Sequence, residues 1–377
     1  MTTDALTDDL FSLTAPWAEQ LNADTRELDA AGAFPYDKWK VLQQTGLLRT
    51  HFAEEFGGAG HGLTATMRAL EGLGYVSHDA GLSFSASTQI VSVGVPLQRF
   101  GSQELKERYL PRIMSGEAIT AHAITEESGG SDAMNLSATA RRDGDHYVVN
   151  GGKMFITNAP VADLFLLYVR TGKPGPFGLT TLLVEAGTPG LTAGPAMDKI
   201  GLRTSPVGTL SFDELRVPVS RRVGPEGTGF LVLDHVMKRE VLFGFSITLG
   251  EMARRLEETI AFARKRHQFG QPIGSYQAVS HKIADMKMRV ETARKWLADT
   301  GAKVEAGQDA ALDLAATKTI VSEANVQTAL DAVQIHGGRG VLTEHGIERD
   351  LRNSIAGTIY SGTSEIQRNR IATLLGL

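Results

Sequence analysis

The apolar periodicity of this chain changes twice, from about 3.6 residues to 2 and back, and that order constrains the fold more than any single motif. Segments Phe34–Leu47 and Leu63–Val76 carry apolar residues at helical spacing, and Gly57-Gly58-Ala59-Gly60 punctuates them. From about Ile119 the texture becomes short β-rich runs, at His146–Val149, Leu164–Val169, Leu179–Val184 and Thr209–Val217, separated by Gly, Pro, Asn and Asp. Long helical periods return from about Gly229 and continue to the end; Leu312–Ile335, stopped by Gly337-Gly338, is one. Helices, then strands, then helices is not the strand–helix alternation of a doubly wound sheet. No GxGxxG follows a strand and no GxxxxGK[ST] occurs, so dinucleotide and P-loop readings lack support.

The length of 377 residues allows two or three structural units. A formal net charge of -5 gives no electrostatic case for nucleic acid, although Arg264-Lys265-Arg266 can meet phosphates on a small ligand. The absence of cysteine excludes disulfides, thiolate metal sites and a cysteine nucleophile. Met1-Thr2-Thr3-Asp4 lacks the basic and apolar regions of a signal peptide. The longest apolar stretch, around Val241–Leu249, is too short to span a bilayer. These features predict a cytoplasmic protein without a membrane span.

Four segments can carry chemistry. Thr125–Asp132 joins hydroxyls, acids and glycine-freed amides where helix is expected to give way to strand; it suits a polar ring edge or phosphate, or is a polar turn. Asn150–Asn158 opens on an Asn-Gly hairpin signal and places Phe155 and Thr157 on one strand face, where a ring and a hydroxyl suit a flat heterocycle; an ordinary half-buried strand reads the same way. Arg266–Gly270 ends a long helix, and Arg266 can pair with a diphosphate or complement its own helix dipole. Gln334–Gly340 is a glycine-stopped helix end open to close approach by a ligand, or a plain turn; its His336 reads as structural.

Together with Glu54–Gly58, Leu110-Pro111 and Tyr360–Arg368, these segments resemble the acyl-CoA dehydrogenase family along almost the full chain. The resemblance implies an α+β multidomain fold: an N-terminal helical domain (1–118), a middle β-domain (119–222) and a C-terminal four-helix bundle domain (223–377). It implies a homotetramer, with FAD held by Ile124, Thr125, Ser131, Phe155, Thr157, Thr363 and Glu365. Arg266, Gln268, Phe269, Gln334 and Gly338 would then reach the FAD of an adjacent subunit. It further implies α,β-dehydrogenation of an acyl thioester, on CoA or an acyl-carrier protein. A carboxylate takes the α-proton, hydride goes to the flavin, and electrons pass to an electron-transfer flavoprotein or similar acceptor. The Ser361 N–H would polarise the thioester carbonyl, and Ser131 would lie near the thioester.

Most members carry Glu immediately before the Gly-Thr of the C-terminal motif, where this chain has Ser361. A serine without a partner base cannot take the proton. Members resembling isovaleryl-CoA dehydrogenase place the base on the first helix of the C-terminal domain, and an ungapped count back from Arg266 reaches Glu240. Its helical neighbours Val236, Phe243, Gly244 and Ile247 make an apolar face, which raises a carboxylate pKa. A solvated Glu, or one paired with the adjacent Lys238 or Arg239, is the alternative. Val241 stands where the family usually has Arg, which favours weighing a carrier-protein substrate beside CoA. Two further alternatives are a flavin-dependent monooxygenase on the same fold and a non-catalytic FAD-binding paralogue. The small Ser361 predicts tolerance for short or branched acyl groups.

Overall fold

The computed structural model describes residues 9–173 and 175–377, so the segment read for a signal peptide lies outside the described residues. Among the described residues, the α-helices before the sheet include α1 (Ala18–Asn22), α2 (Thr25–Ala31), α3 (Tyr36–Thr45), α4 (Leu63–Val76), α5 (Ala80–Gln89), α6 (Val95–Phe100) and α7 (Gln103–Met114). Five follow it: α8 (Gly229–Lys265), α9 (Gln277–Glu305), α10 (Ala311–His336), α11 (Ile347–Ile355) and α12 (Ser364–Leu374). No described helix is long and apolar enough to cross a membrane.

The sheet between them contains β1 (Thr120–Ala123), β2 (Thr139–Asp143), β3 (His146–Thr157), β4 (Leu164–Arg170), β5 (Leu179–Glu185), β6 (Leu191–Ala193), β7 (Val207–Pro218) and β8 (Arg222–Val223). Its order is β6-β7-β3-β2-β4-β5-β8, with β1 parallel to β4. Strand β4 is apolar throughout because both its faces are covered. Leu164, Leu166 and Tyr168 enter a core shared with the helices, and Phe165, Leu167 and Val169 enter a second core confined to residues of the sheet region. The first core runs from Leu10 to Ile335, so helices from both ends of the chain close over one face of the sheet.

The tightest helix crossing lies between α4 and α8. A Cβ on Gly74 would stand 2.0 Å from the Ile247 carbonyl oxygen, and one on Gly250 would stand 2.0 Å from that of Glu71. Backbone therefore rests on backbone, which fixes how deeply α8 sits.

Two expectations are corrected here. Asn150-Gly151 does not turn a hairpin; β3 continues through it, and its register against β7 slips between Val149 and Gly151. Gly151 has φ +127°, and a side chain there would strike Ala138, so the glycine serves a bulge. The β2–β3 hairpin turns instead at Gly144 (φ +62°). The segment Thr125–Asp132 follows strand β1 rather than a helix.

Candidate active site

Glu240 lies on α8, with Val236, Phe243, Gly244 and Ile247 all buried around it. The adjacent cations are committed elsewhere: Lys238 pairs with Asp234, and Arg239 donates to the carbonyl oxygen of His235. One carboxylate oxygen of Glu240 accepts the Ser361 hydroxyl at 2.5 Å, across 121 positions of sequence. Its other oxygen is 3.8 Å from Nδ1 of His122. Burial pushes the Glu240 carboxyl above the usual carboxylate range, and the Ser361 hydroxyl partly offsets this. The side chain nonetheless keeps 30% of its surface exposed, so the packing that desolvates it leaves one side open.

Ser361 sits in left-handed backbone at φ 54°. Gln367 Nε2 donates to its carbonyl oxygen at 2.9 Å and holds that conformation, and among the described residues its own N–H meets no acceptor. A non-glycine residue held with a free amide beside a carboxylate is the arrangement expected of a group that polarises a substrate carbonyl. Next in sequence, Thr363 caps α12, accepting from the Ile366 N–H at 3.3 Å, and Glu365 lies exposed in its first turn.

A Cβ on Gly244, one turn beyond Glu240, would meet nothing within 4 Å. Further on, Phe84 of α5 packs against Tyr360 at 4.8 Å between ring centroids, and Phe245 stacks on Tyr360 at 5.7 Å. Gly244, Phe84 and Tyr360 line a small cavity of about 20 Å³ together with Thr248, Glu251, Asn325 and Asn353, with room for little more than a water.

The cofactor candidates fall into two groups. Ile124 and Thr125 leave the end of β1 and are tied to β3, because Lys153 Nζ donates to the Ile124 carbonyl oxygen and the Met154 N–H to that of Thr125. Lys153 also forms a buried pair with Glu126 at 2.8 Å. Glu126 in turn accepts both the N–H and hydroxyl of Ser137, so this loop is pinned at its base while Ser131 stays exposed. Phe155 is 59% exposed at a second bulge, with φ 58°, Ile156 beside it is buried, and Thr157 is half-buried. The second group lies at the far end of the helical domain. Arg266 and Gln268 are exposed, and Phe269 is 95% exposed on a two-residue hairpin that leaves α8. Gln334 and Gly338 are exposed at the end of α10, joined to that region by stacking of Phe262 on His336 at 4.2 Å. No described contact brings the two groups together within one chain.

The donors present fit FAD. An aromatic face and two hydroxyls stand around a strand edge, and a guanidinium and an amide stand on a separate exposed surface suited to a diphosphate. His122, Tyr360, Lys153 and Gln367 escaped sequence reasoning. Lys153 and Gln367 lie inside quoted motifs, and His122 stands two residues before Ile124; only the fold turns them toward these groups.

Comparison with known proteins extends this picture. Family models described as the N-terminal, middle and C-terminal domains of acyl-CoA dehydrogenase match residues 13–117, 121–215 and 227–376. An L-prolyl-[peptidyl-carrier protein] dehydrogenase of Serratia sp. (strain ATCC 39006) is 41% identical over 340 residues, covering 90% of this chain and 88% of its own. The crystal structure of the prolyl acyl carrier protein oxidase AnaB superposes with a TM-score of 0.95 at 38% identity, over 100% of both chains. PigA with FAD and proline gives a TM-score of 0.95 at 37% identity, over 100% of this chain and 98% of that one. The three domain matches and the near full-length likeness to these relatives make the chain a member of the acyl-CoA dehydrogenase family.

Proposed function

We propose that the protein is an FAD-dependent dehydrogenase of a small carrier-bound acyl thioester, L-prolyl on a peptidyl carrier protein, with Glu240 as the base. One observation supports this reading above the others: the desolvated Glu240 carboxylate accepts the hydroxyl of Ser361, a residue held in left-handed backbone whose own N–H has no acceptor among the described residues. The likeness to prolyl-carrier-protein enzymes at about 40% identity supports the same substrate.

When bound, FAD supplies the hydride acceptor. Ile124, Thr125, Ser131, Phe155, Thr157, Thr363 and Glu365 would hold it in one subunit, and Arg266, Gln268, Phe269, Gln334 and Gly338 would reach that of a neighbour. The chain's own work is proton transfer and orientation. The Ser361 N–H, held by Gln367 through the carbonyl, acidifies the substrate α-carbon by hydrogen-bonding the thioester oxygen. The Ser361 hydroxyl holds one oxygen of Glu240 and leaves the other for the α-proton, and Ser131 flanks the thioester.

The exposed Phe269 supports the assembly reading, since a ring 95% in solvent on a chain of this size asks for a partner surface. We take the active unit as a homotetramer in the cytoplasm, passing electrons to an electron-transfer flavoprotein or similar acceptor. A monomer by light scattering that retains FAD overturns the assembly.

The substrate test is anaerobic mixing with prolyl-carrier protein and a panel of acyl-CoAs, watching flavin absorbance. Bleaching by prolyl-carrier protein and not by long straight-chain acyl-CoA is expected. Bleaching confined to long-chain acyl-CoA overturns the substrate, and tight FAD with bleaching by none favours a non-catalytic paralogue.

A further inference from the structure

His122 has a polar atom with nothing to bind. Strand alternation on β1 sends Ala121 and Ala123 into the sheet's own core and His122 to the opposite face, toward α8. Its side chain is 8% exposed, and its Nε2 is sealed from solvent without a hydrogen-bond partner. The ring meets Tyr168 of β4 edge-on at 4.9 Å, and the Tyr168 hydroxyl is likewise buried and unpartnered. Burial, reinforced by the Lys153 cation, lowers its pKa to about 3, so the imidazole is neutral and keeps one nitrogen lone pair. Among the described residues no cluster of metal-ligating side chains surrounds it.

Nδ1 likewise has no hydrogen-bond partner among the described residues, and it is Nδ1, not the sealed Nε2, that stands on the Glu240 side where a partner can arrive with the ligand. The 3.8 Å gap to Glu240 constrains which one. An Nδ1–H aimed at a carboxylate closes to about 2.8 Å, whereas two acceptors facing each other stay apart. The missing group is therefore an N–H or O–H donor beside the carboxylate. The α-carbon of the substrate must lie against Glu240 to lose its proton, so any nitrogen bonded to that carbon falls in the space Glu240 shares with His122. A plain acyl chain offers only C–H there.

We propose that His122 reads the amino nitrogen of the substrate, accepting an α-N–H at Nδ1, and thereby selects α-aminoacyl thioesters over plain acyl thioesters. The inference rests on Glu240 being the base. A site built to bind an N–H rejects the isostere that lacks it, because its own polar atom is then left unpaired.

The test compares flavin reduction by prolyl-carrier protein with reduction by cyclopentanecarbonyl-carrier protein, which keeps the ring and removes the N–H. The wild-type enzyme is expected to favour prolyl by at least about tenfold. His122→Phe, checked for FAD content and melting temperature, is expected to cut that preference at least about tenfold. His122→Asn, which keeps an acceptor, is expected to hold part of it. If the wild-type enzyme reduces with the carbocycle at least as fast as with prolyl, or with neither, the proposal fails without recourse to a variant. An unaltered preference in a folded His122→Phe also overturns it. Glu240→Gln separates the two readings: it is expected to slow both substrates, and undiminished reduction of both sinks the base assignment while the His122 preference is still read.

Discussion

Ser361 takes the position before the Gly-Thr of the C-terminal motif, and its hydroxyl donates to Glu240, the carboxylate we propose as the base. Glu240→Gln keeps size and removes basicity, so it is expected to slow anaerobic flavin reduction by at least about a hundredfold with FAD content retained. Reduction at the wild-type rate moves the base elsewhere. Ser361→Ala keeps the backbone N–H and is expected to cost far less, but it changes the pH profile. The base acts when ionised, so the rate rises with pH through the Glu240 pKa, which burial already holds above the ordinary range. The Ser361 hydroxyl favours the ionised form, so its removal shifts that rise to higher pH; a profile identical to wild type contradicts the contact. Glu240 was reached from the sequence by an ungapped count back from Arg266 under the family resemblance, with its apolar neighbours at helical spacing in support, and those neighbours are buried in the structure. The Ser361 hydroxyl contact was not, because a side-chain pair 121 residues apart is set by how the turn before α12 packs against α8. His122 was hidden for the same reason: strand alternation is readable, but what faces the strand is not.

Helix α4 was readable end to end, Leu63–Val76 in sequence and in structure, whereas the way it crosses α8 was not. The sequence shows glycines inside helices, which ordinarily weaken them by about 1 kcal/mol each relative to alanine. The structure reverses the sign of the expected substitution. Gly250→Ala would raise intrinsic helix propensity yet drive a methyl into the Glu71 carbonyl oxygen and the Tyr75 N–H. It is expected to destabilise by roughly 1–3 kcal/mol or more in denaturant titration. A stabilised protein would mean the helices can part at no cost. Asn150-Gly151 is the complementary case. The dipeptide favours tight turns and bulges alike, and the pairing of β3 along both edges, with β2 and with β7, decided for the bulge.

At the scale of the molecule, buried charge collects under α8. Asp350 meets Arg255 at 3.2 Å and Arg254 at 3.6 Å, while Glu251 lies beside them with no hydrogen bond among the described residues. Burial, with Asp350 nearby, raises the Glu251 pKa to about 7 despite the two guanidiniums. The folded protein then holds a proton there that the unfolded chain releases near pH 4.5, so stability falls as pH rises between those values. Glu251→Gln is expected to flatten that fall, gaining up to roughly 3 kcal/mol at alkaline pH over wild type. A parallel pH dependence of melting temperature in the two proteins counts against it. The larger consequence lies in the core that runs from Leu10 to Ile335. Gly74 has no surface to rest on until Ile247 exists, nor Glu71 until Gly250 does. At about 5–20 residues added per second, the apolar face of α4 leaves the ribosome on the order of 10–35 s before its partner. During synthesis the apolar face of α4 thus waits for α8, and translation speed through the β-region sets how long it stays uncovered.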